Sequence, residues 1–181
     1  KILKMQKSFM KYDSLLLKII YEYCLKKKIK LVIAFTSTRK DKKKYNFFEE
    51  ELNYYKDLVR NFQISKDNFQ SCLKSKLIIS STSNLGYELL FAKKKVLFLD
   101  EIRKEQYSFF KTNSGPFWYC GQNTKKIRNY IDDNFKDNQV AWLKKLYKID
   151  NSFKIFHKKI NLYKNNVLFK KKIYGFLEKH D

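Results

Sequence analysis

From Ser8 to Lys28 the side chains of Leu15, Leu16, Ile19, Ile20, Tyr23 and Cys24 fall at the spacing of one helix face, and Lys26 to Lys28 complement the negative end of a helix dipole. An amphipathic helix with one buried face is expected there. Leu31 to Phe35 is short, apolar and partly β-branched, so it reads as a buried strand. Tyr45 to Val59 reads as a second helix, with Phe48, Leu52, Tyr55 and Val59 on one side and Glu49 to Glu51 on the other. A brief strand at Asn61 to Ser65 follows, then a short helix capped by Asp67 that runs through Cys72 to Lys74. The next apolar run, Leu77 to Ile79, breaks into Ser80, Ser81, Thr82 and Ser83; leucines four apart, Leu85 and Leu89, then mark a helix. Lys93 to Lys95 end it, and Val96 to Leu99 is a further strand.

Helices and strands alternating in this way imply a parallel sheet with helices on both faces and right-handed crossovers. From Asp100 to Gly121 the periodicity is weak, which predicts a long loop with a short strand at Phe117 to Cys120. Helices are then expected at Thr124 to Phe135, Gln139 to Tyr147 and Asn165 to Glu178. The fold class is α/β, a Rossmann-like three-layer domain followed by carboxy-terminal helices. One domain over 1–181 is expected, with residues 29–122 forming the sheet and residues 123–181 the helices.

The segment from Leu77 to Asp100 carries the chemistry. A helix N-terminus has N–H groups without partners and a partial positive charge, so Ser81, Thr82, Ser83 and Asn84 form a turn able to hold a phosphate. Gly86 lacks a Cβ and would let a ligand approach the backbone. Glu88, four residues after Asn84, leans back toward the same mouth and can accept sugar hydroxyls. Diphosphate on the turn and ribose on Glu88 would suit a nucleotide. The same serines serve equally as plain helix caps. Arg39, at the end of the earlier strand, is the best-placed cation for a phosphate, or a solvated charge in a run with Lys40 to Lys44. Tyr107, Phe109, Phe110 and Trp118 could stack on a base or sugar, although packing is the commoner use of loop aromatics.

The stretch from Lys76 to Val96, with its core from Ser80 to Glu88, resembles the carboxy-terminal half of GT-B-type glycosyltransferases, nearest to bacterial surface-carbohydrate proteins that build O-antigen or capsule. Gly115-Pro116-Phe117-Trp118, Gly121, Trp142, and Asn166 with Phe169 resemble later landmarks in the same order. The resemblance implies that Ser81, Ser83 and Glu88 contact the nucleotide of an activated sugar, and that the site lies in a cleft against an amino-terminal partner domain. It also implies a lipid-linked or polysaccharide acceptor. Two positions depart from the pattern: Lys93 stands where a helix-ending glycine is usual, and Tyr163 where an aspartate is. The general base would lie in the partner half; Asp100 is the best local carboxylate. A nucleotide-sugar epimerase of the same fold is the alternative enzyme, and it would need paired carboxylates or a histidine.

At 181 residues the chain is long enough for a real core but short for a two-domain enzyme, so a carboxy-terminal half is expected. The formal charge of +22, from 40 basic against 18 acidic residues, raises nucleic acid or an anionic membrane as partners. Only Arg39, Arg60, Arg103 and Arg128 are arginines, however, and glycine, proline and alanine are scarce, so a codon bias toward A and T accounts for the lysines without nucleic acid. A lysine-rich binding module without catalysis is the remaining alternative. Cys24, Cys72 and Cys120 are odd in number and far apart, and His157 and His180 are the only histidines, which argues against disulfides, zinc and any metal. No cofactor is expected, and a cytoplasmic protein, peripheral to the membrane at most, fits the short apolar runs.

Overall fold

The computed structural model describes residues 2–35, 47–81, 83–100, 110 and 112–149. Arg39, Thr82, Tyr107, Phe109, Tyr163, Asn166, Phe169 and the helix expected at Asn165 to Glu178 lie outside them. The order is α1 (Ile2–Lys27), β1 (Val32–Ile33), α2 (Phe47–Leu58), β2 (Gln63–Ile64), α3 (Asn68–Lys74), β3 (Ile78–Ser80), α4 (Asn84–Phe91), β4 (Val96–Asp100), β5 (Ser114–Gly115), β6 (Trp118–Cys120), α5 (Thr124–Lys136) and α6 (Gln139–Tyr147).

The main sheet has the order β3-β4-β6-β5. β3, β4 and β6 are parallel, with Ile78 opposite Val96 and Phe98 opposite Trp118. Two features differ from the expected single parallel sheet. β5 runs antiparallel to β6, because Ser114 and Gly115 turn back within three residues of Trp118 and so make a hairpin. β1 and β2 form a separate parallel pair, Val32 opposite Gln63, which among the described residues is not bonded to β3.

Alternation along β4 sets the layers. Val96 and Phe98 face a cluster with Tyr87, Leu89 and Leu90 of α4, Phe117, and Trp142 and Leu146 of α6. Leu97 and Leu99 face the other way, toward Leu16 and Ile19 of α1, Tyr119, and Ile127 and Ile131 of α5. Four apolar residues in succession at 0–4 % exposure are what a strand covered on both faces requires. A third cluster joins Leu17 of α1 and Phe35 to Leu52, Tyr55 and Val59.

The helix ends follow local chemistry. Asp67, Ser83, Asn123 and Asn138 are N-caps whose side chains accept backbone N–H groups of the first turn. α4 ends in a Schellman motif: the Lys93 N–H donates to Leu90 O at 3.0 Å, and the Lys94 N–H to Leu89 O at 3.0 Å. Lys93 takes the left-handed conformation there, φ 56°, at the position where glycine is usual. The same bonds end α1, with Lys28 at φ 54°. Lys95 is buried, and its ammonium donates to the carbonyls of Asn134 (3.2 Å) and Asp137 (2.6 Å), the negative end of α5. Burial and Lys76 hold its pKa below the usual lysine range, against the pull of Asp137.

Candidate functional site

The chain leaves β3 for α4 on one face of the sheet and leaves β6 for α5 on the opposite face. β4 lies between β3 and β6, so the two departing connections splay apart over its carboxyl end. In open α/β sheets, ligands bind where connections part in this way. The end of β4 there is Asp100. On the two faces beside it α4 and α5 begin, each N-terminus a partial positive charge, with Lys125 and Lys126 exposed in the first turn of α5. The Gly121 N–H donates to Asp100 O at 2.7 Å and so ties the start of one connection to the end of β4.

The first turn of α4 is built in detail. Ser83 Oγ accepts the Leu85 N–H at 3.2 Å, and Ser83 O accepts the Gly86 N–H at 3.0 Å. Ser83 therefore does cap the helix. Ser83 and Asn84 are exposed, Ser81 is half-buried, and Glu88 is half-buried and engaged by another group.

Gly86 has a packing use that its position did not reveal. A Cβ there would lie 2.5 Å from Ser80 Oγ, 2.8 Å from Ser80 Cβ and 3.2 Å from Phe98 Cε1. The space left by the missing side chain is filled by the strands, so the residue lets α4 settle onto β3 and β4. Ser80 Oγ is buried in that contact with no hydrogen-bond partner.

The described aromatics of the loop are committed to packing. Phe110 and Trp118 stack on each other with centroids 4.3 Å apart and planes 7° apart, and Trp118 Nε1 donates to Thr112 O at 3.0 Å. The Trp118 ring occupies the place where a Cβ on Gly115 would stand, 2.1 Å away. Phe110 also touches Phe98, Tyr87 and Phe117.

One group at this edge has no place in the sequence reading. Asp13 of α1 is half-buried, and burial, followed by the charge of Asp100, pushes its carboxyl up to about 6. The direction of α1 explains the approach. Glu22 pairs with Arg128 at 2.6 Å and Tyr23 donates to Asp132 at 3.0 Å, so α1 and α5 advance side by side in the same sense. Residues before Leu16 therefore reach the edge where α5 begins. No group of three or more His, Cys, Asp or Glu that could hold a metal ion occurs among the described residues. Burial raises the thiols of Cys24 and Cys72, which disfavours their reactive thiolate forms. Among the described residues no helix is long and apolar enough to cross a membrane.

A family model described as "putative O-antigen biosynthesis protein" matches residues 3–175. No curated protein and no solved structure matches the chain.

Proposed function

The chain belongs to this family of O-antigen biosynthesis proteins, and from that premise we propose that the carboxyl edge of its sheet binds the nucleotide-activated sugar donor of a glycosyltransferase. The observation that carries this reading is the departure of α4 and α5 to opposite faces over the end of β4. In this reading the diphosphate lies on the first turn of α4, at Ser81 to Asn84, and Glu88 takes the ribose hydroxyls. The helix amides would stabilise the charge that develops on the phosphate as the sugar leaves, a preorganised electrostatic effect. Thr82 and Arg39 are proposed contacts on the resemblance alone. The acceptor would be a lipid-linked or polysaccharide chain brought by a partner domain.

The test is ligand-detected magnetic resonance with a panel of nucleotides and nucleotide sugars at low and high salt. Binding of one nucleotide that tolerates salt and is lost in Ser83→Ala and Glu88→Ala supports the donor site. Circular dichroism of the variants separates this from loss of the cap, which costs about 1 kcal/mol. Binding of polyanions only, abolished by salt and indifferent to both substitutions, overturns it in favour of a lysine surface.

The charge of Asp100 acts on Asp13, and two carboxylates within electrostatic reach are what a second reading, the epimerase, would require for proton transfer. Exchange of a sugar proton for solvent deuterium separates this reading from transfer.

A further inference from the structure

The amino ends of β3 and β4 make the edge of the sheet opposite the one where α4 and α5 begin. Three helices finish at this amino edge and one starts there. α3 ends at Lys74, just before β3. The end of α5 is fixed by Lys95, at the start of β4, whose ammonium donates to the carbonyls of Asn134 and Asp137. The end of α1 is placed beside it by Lys27, 3.7 Å from Asp132. α6 begins there, since Gln139 Nε2 donates to Lys93 O at 2.8 Å. Lys26, Lys28, Lys74, Lys76 and Lys93 are exposed on this edge. The acids at the end of α5 do not balance them: Asp132 already holds Lys27 and Lys136, Asp137 holds Lys145, and Asp133 is the third.

A codon bias accounts for the number of lysines in the chain, and helix dipoles account for lysines at helix ends. Neither gives a reason for aliphatic side chains in water among them. Leu25, beside Lys26, is 54 % exposed, and Val140, beside Gln139, is 62 % exposed. Exposed apolar residues scattered singly are ordinary. Of the four large hydrophobic residues exposed among the described residues, however, these two fall on the same basic edge. We propose that the amino edge of the sheet rests on an anionic lipid surface, with its lysines on the lipid phosphates and Leu25 and Val140 entering the boundary of the acyl chains. Ammonium groups serve lipid and nucleic-acid phosphates alike. The apolar residues decide between the two, because aliphatic side chains enter hydrocarbon, whereas a nucleic-acid strand is gripped by rings on which its bases stack. The surface lies at the far end of the strands from the first turn of α4, so the inference stands whether or not a nucleotide sugar binds there.

The experiment is flotation of the full chain with vesicles of phosphatidylcholine alone and of phosphatidylcholine containing about one third phosphatidylglycerol, at low and physiological salt. A chain of charge +22 is drawn to any anionic surface, so two charge-matched variants are compared. Lys26→Gln with Lys74→Gln removes two charges from the amino edge; Lys125→Gln with Lys126→Gln removes two from the opposite edge. The first pair should weaken binding to the anionic vesicles by about tenfold and the second by about twofold or less. Leu25→Ser with Val140→Ser should weaken it by about tenfold at physiological salt, with the urea midpoint unchanged because both positions are exposed. Lysine pairs of equal effect, or a Leu25 and Val140 variant that binds like wild type, overturn the proposal and leave attraction by net charge alone. Preference for single-stranded RNA or DNA over the anionic vesicles, weakened by the first lysine pair, overturns it in favour of nucleic acid.

Discussion

Replacing Gly86 by alanine places a methyl group where β3 already stands. Ser80 Oγ, 2.5 Å from the new Cβ, can rotate away without losing a hydrogen bond, because it makes none. Ser80 Cβ, at 2.8 Å, is fixed by the strand and falls about 0.6 Å short of the 3.4 Å at which ordinary contact begins; Phe98 Cε1, at 3.2 Å, must give by only about 0.2 Å. The helix has to lift, and overpacking of this kind costs about 1–3 kcal/mol. Alanine returns about 0.5–1 kcal/mol through its higher helix propensity and its smaller loss of backbone entropy. The expected net loss is about 1–2 kcal/mol, or roughly 2–8 °C in the thermal midpoint for a chain of this size. Urea denaturation of wild type, Gly86→Ala, Ser80→Gly and the double variant closes a cycle. Ser80→Gly removes both clashing atoms, so the two substitutions should couple by about 1 kcal/mol or more. A Gly86→Ala variant as stable as wild type, or a cycle that adds without coupling, would refute the packing role. Weaker nucleotide binding at unchanged stability would instead show that the glycine makes room for a ligand.

Two further changes test other local arguments. Folded Asp13 binds its proton more tightly than the unfolded carboxyl does, with a pKa raised from 3.8 to about 6, so stability falls as pH rises through that window and levels off above it. Asp13→Asn should therefore gain stability at pH 7.5 and none below pH 4. The full difference in proton affinity corresponds to roughly 3 kcal/mol, which partial exposure reduces to about 1–2 kcal/mol; equal gains at both pH values in chemical denaturation would contradict the burial argument. Lys93→Gly should stabilise the chain by about 1 kcal/mol, since it relieves a left-handed residue that carries a Cβ. A loss in thermal midpoint would show that Lys93 makes a contact worth more than its strain.

The parts of the fold that could be read in advance are those where one local rule decides. The run from Leu77 to Leu99 joins a short apolar run, a helix with leucines four apart and a second apolar run, and β3, α4 and β4 lie where that pattern puts them. The caps at Asp67 and Ser83 follow from residue type at a helix start. The parts that could not be read depend on partners distant in sequence. β5 is two residues long and exists only because Trp118 and Tyr119 offer an edge. The packing role of Gly86 needs Ser80 and Phe98 in place above it, and a helix-start glycine in a hydroxyl-rich turn looks the same whether a ligand or a strand approaches it.

Asp13 was legible in principle, by a signal that charge counting hides. Asp13, Leu16, Leu17, Ile20 and Cys24 fall at the offsets of one helix stripe, so the carboxylate occupies a core-facing position in a helix with many lysines free to be chosen instead. A charged residue on the buried stripe is disfavoured unless something there requires it. What the sequence could not supply is the identity of its neighbour. Asp100 lies 87 residues away, at the end of a strand whose order in the sheet is set by tertiary pairing. Burial, followed by the charge of Asp100, raises the proton affinity of Asp13, and it does so toward the end of β4, the side of an open α/β sheet on which ligands bind.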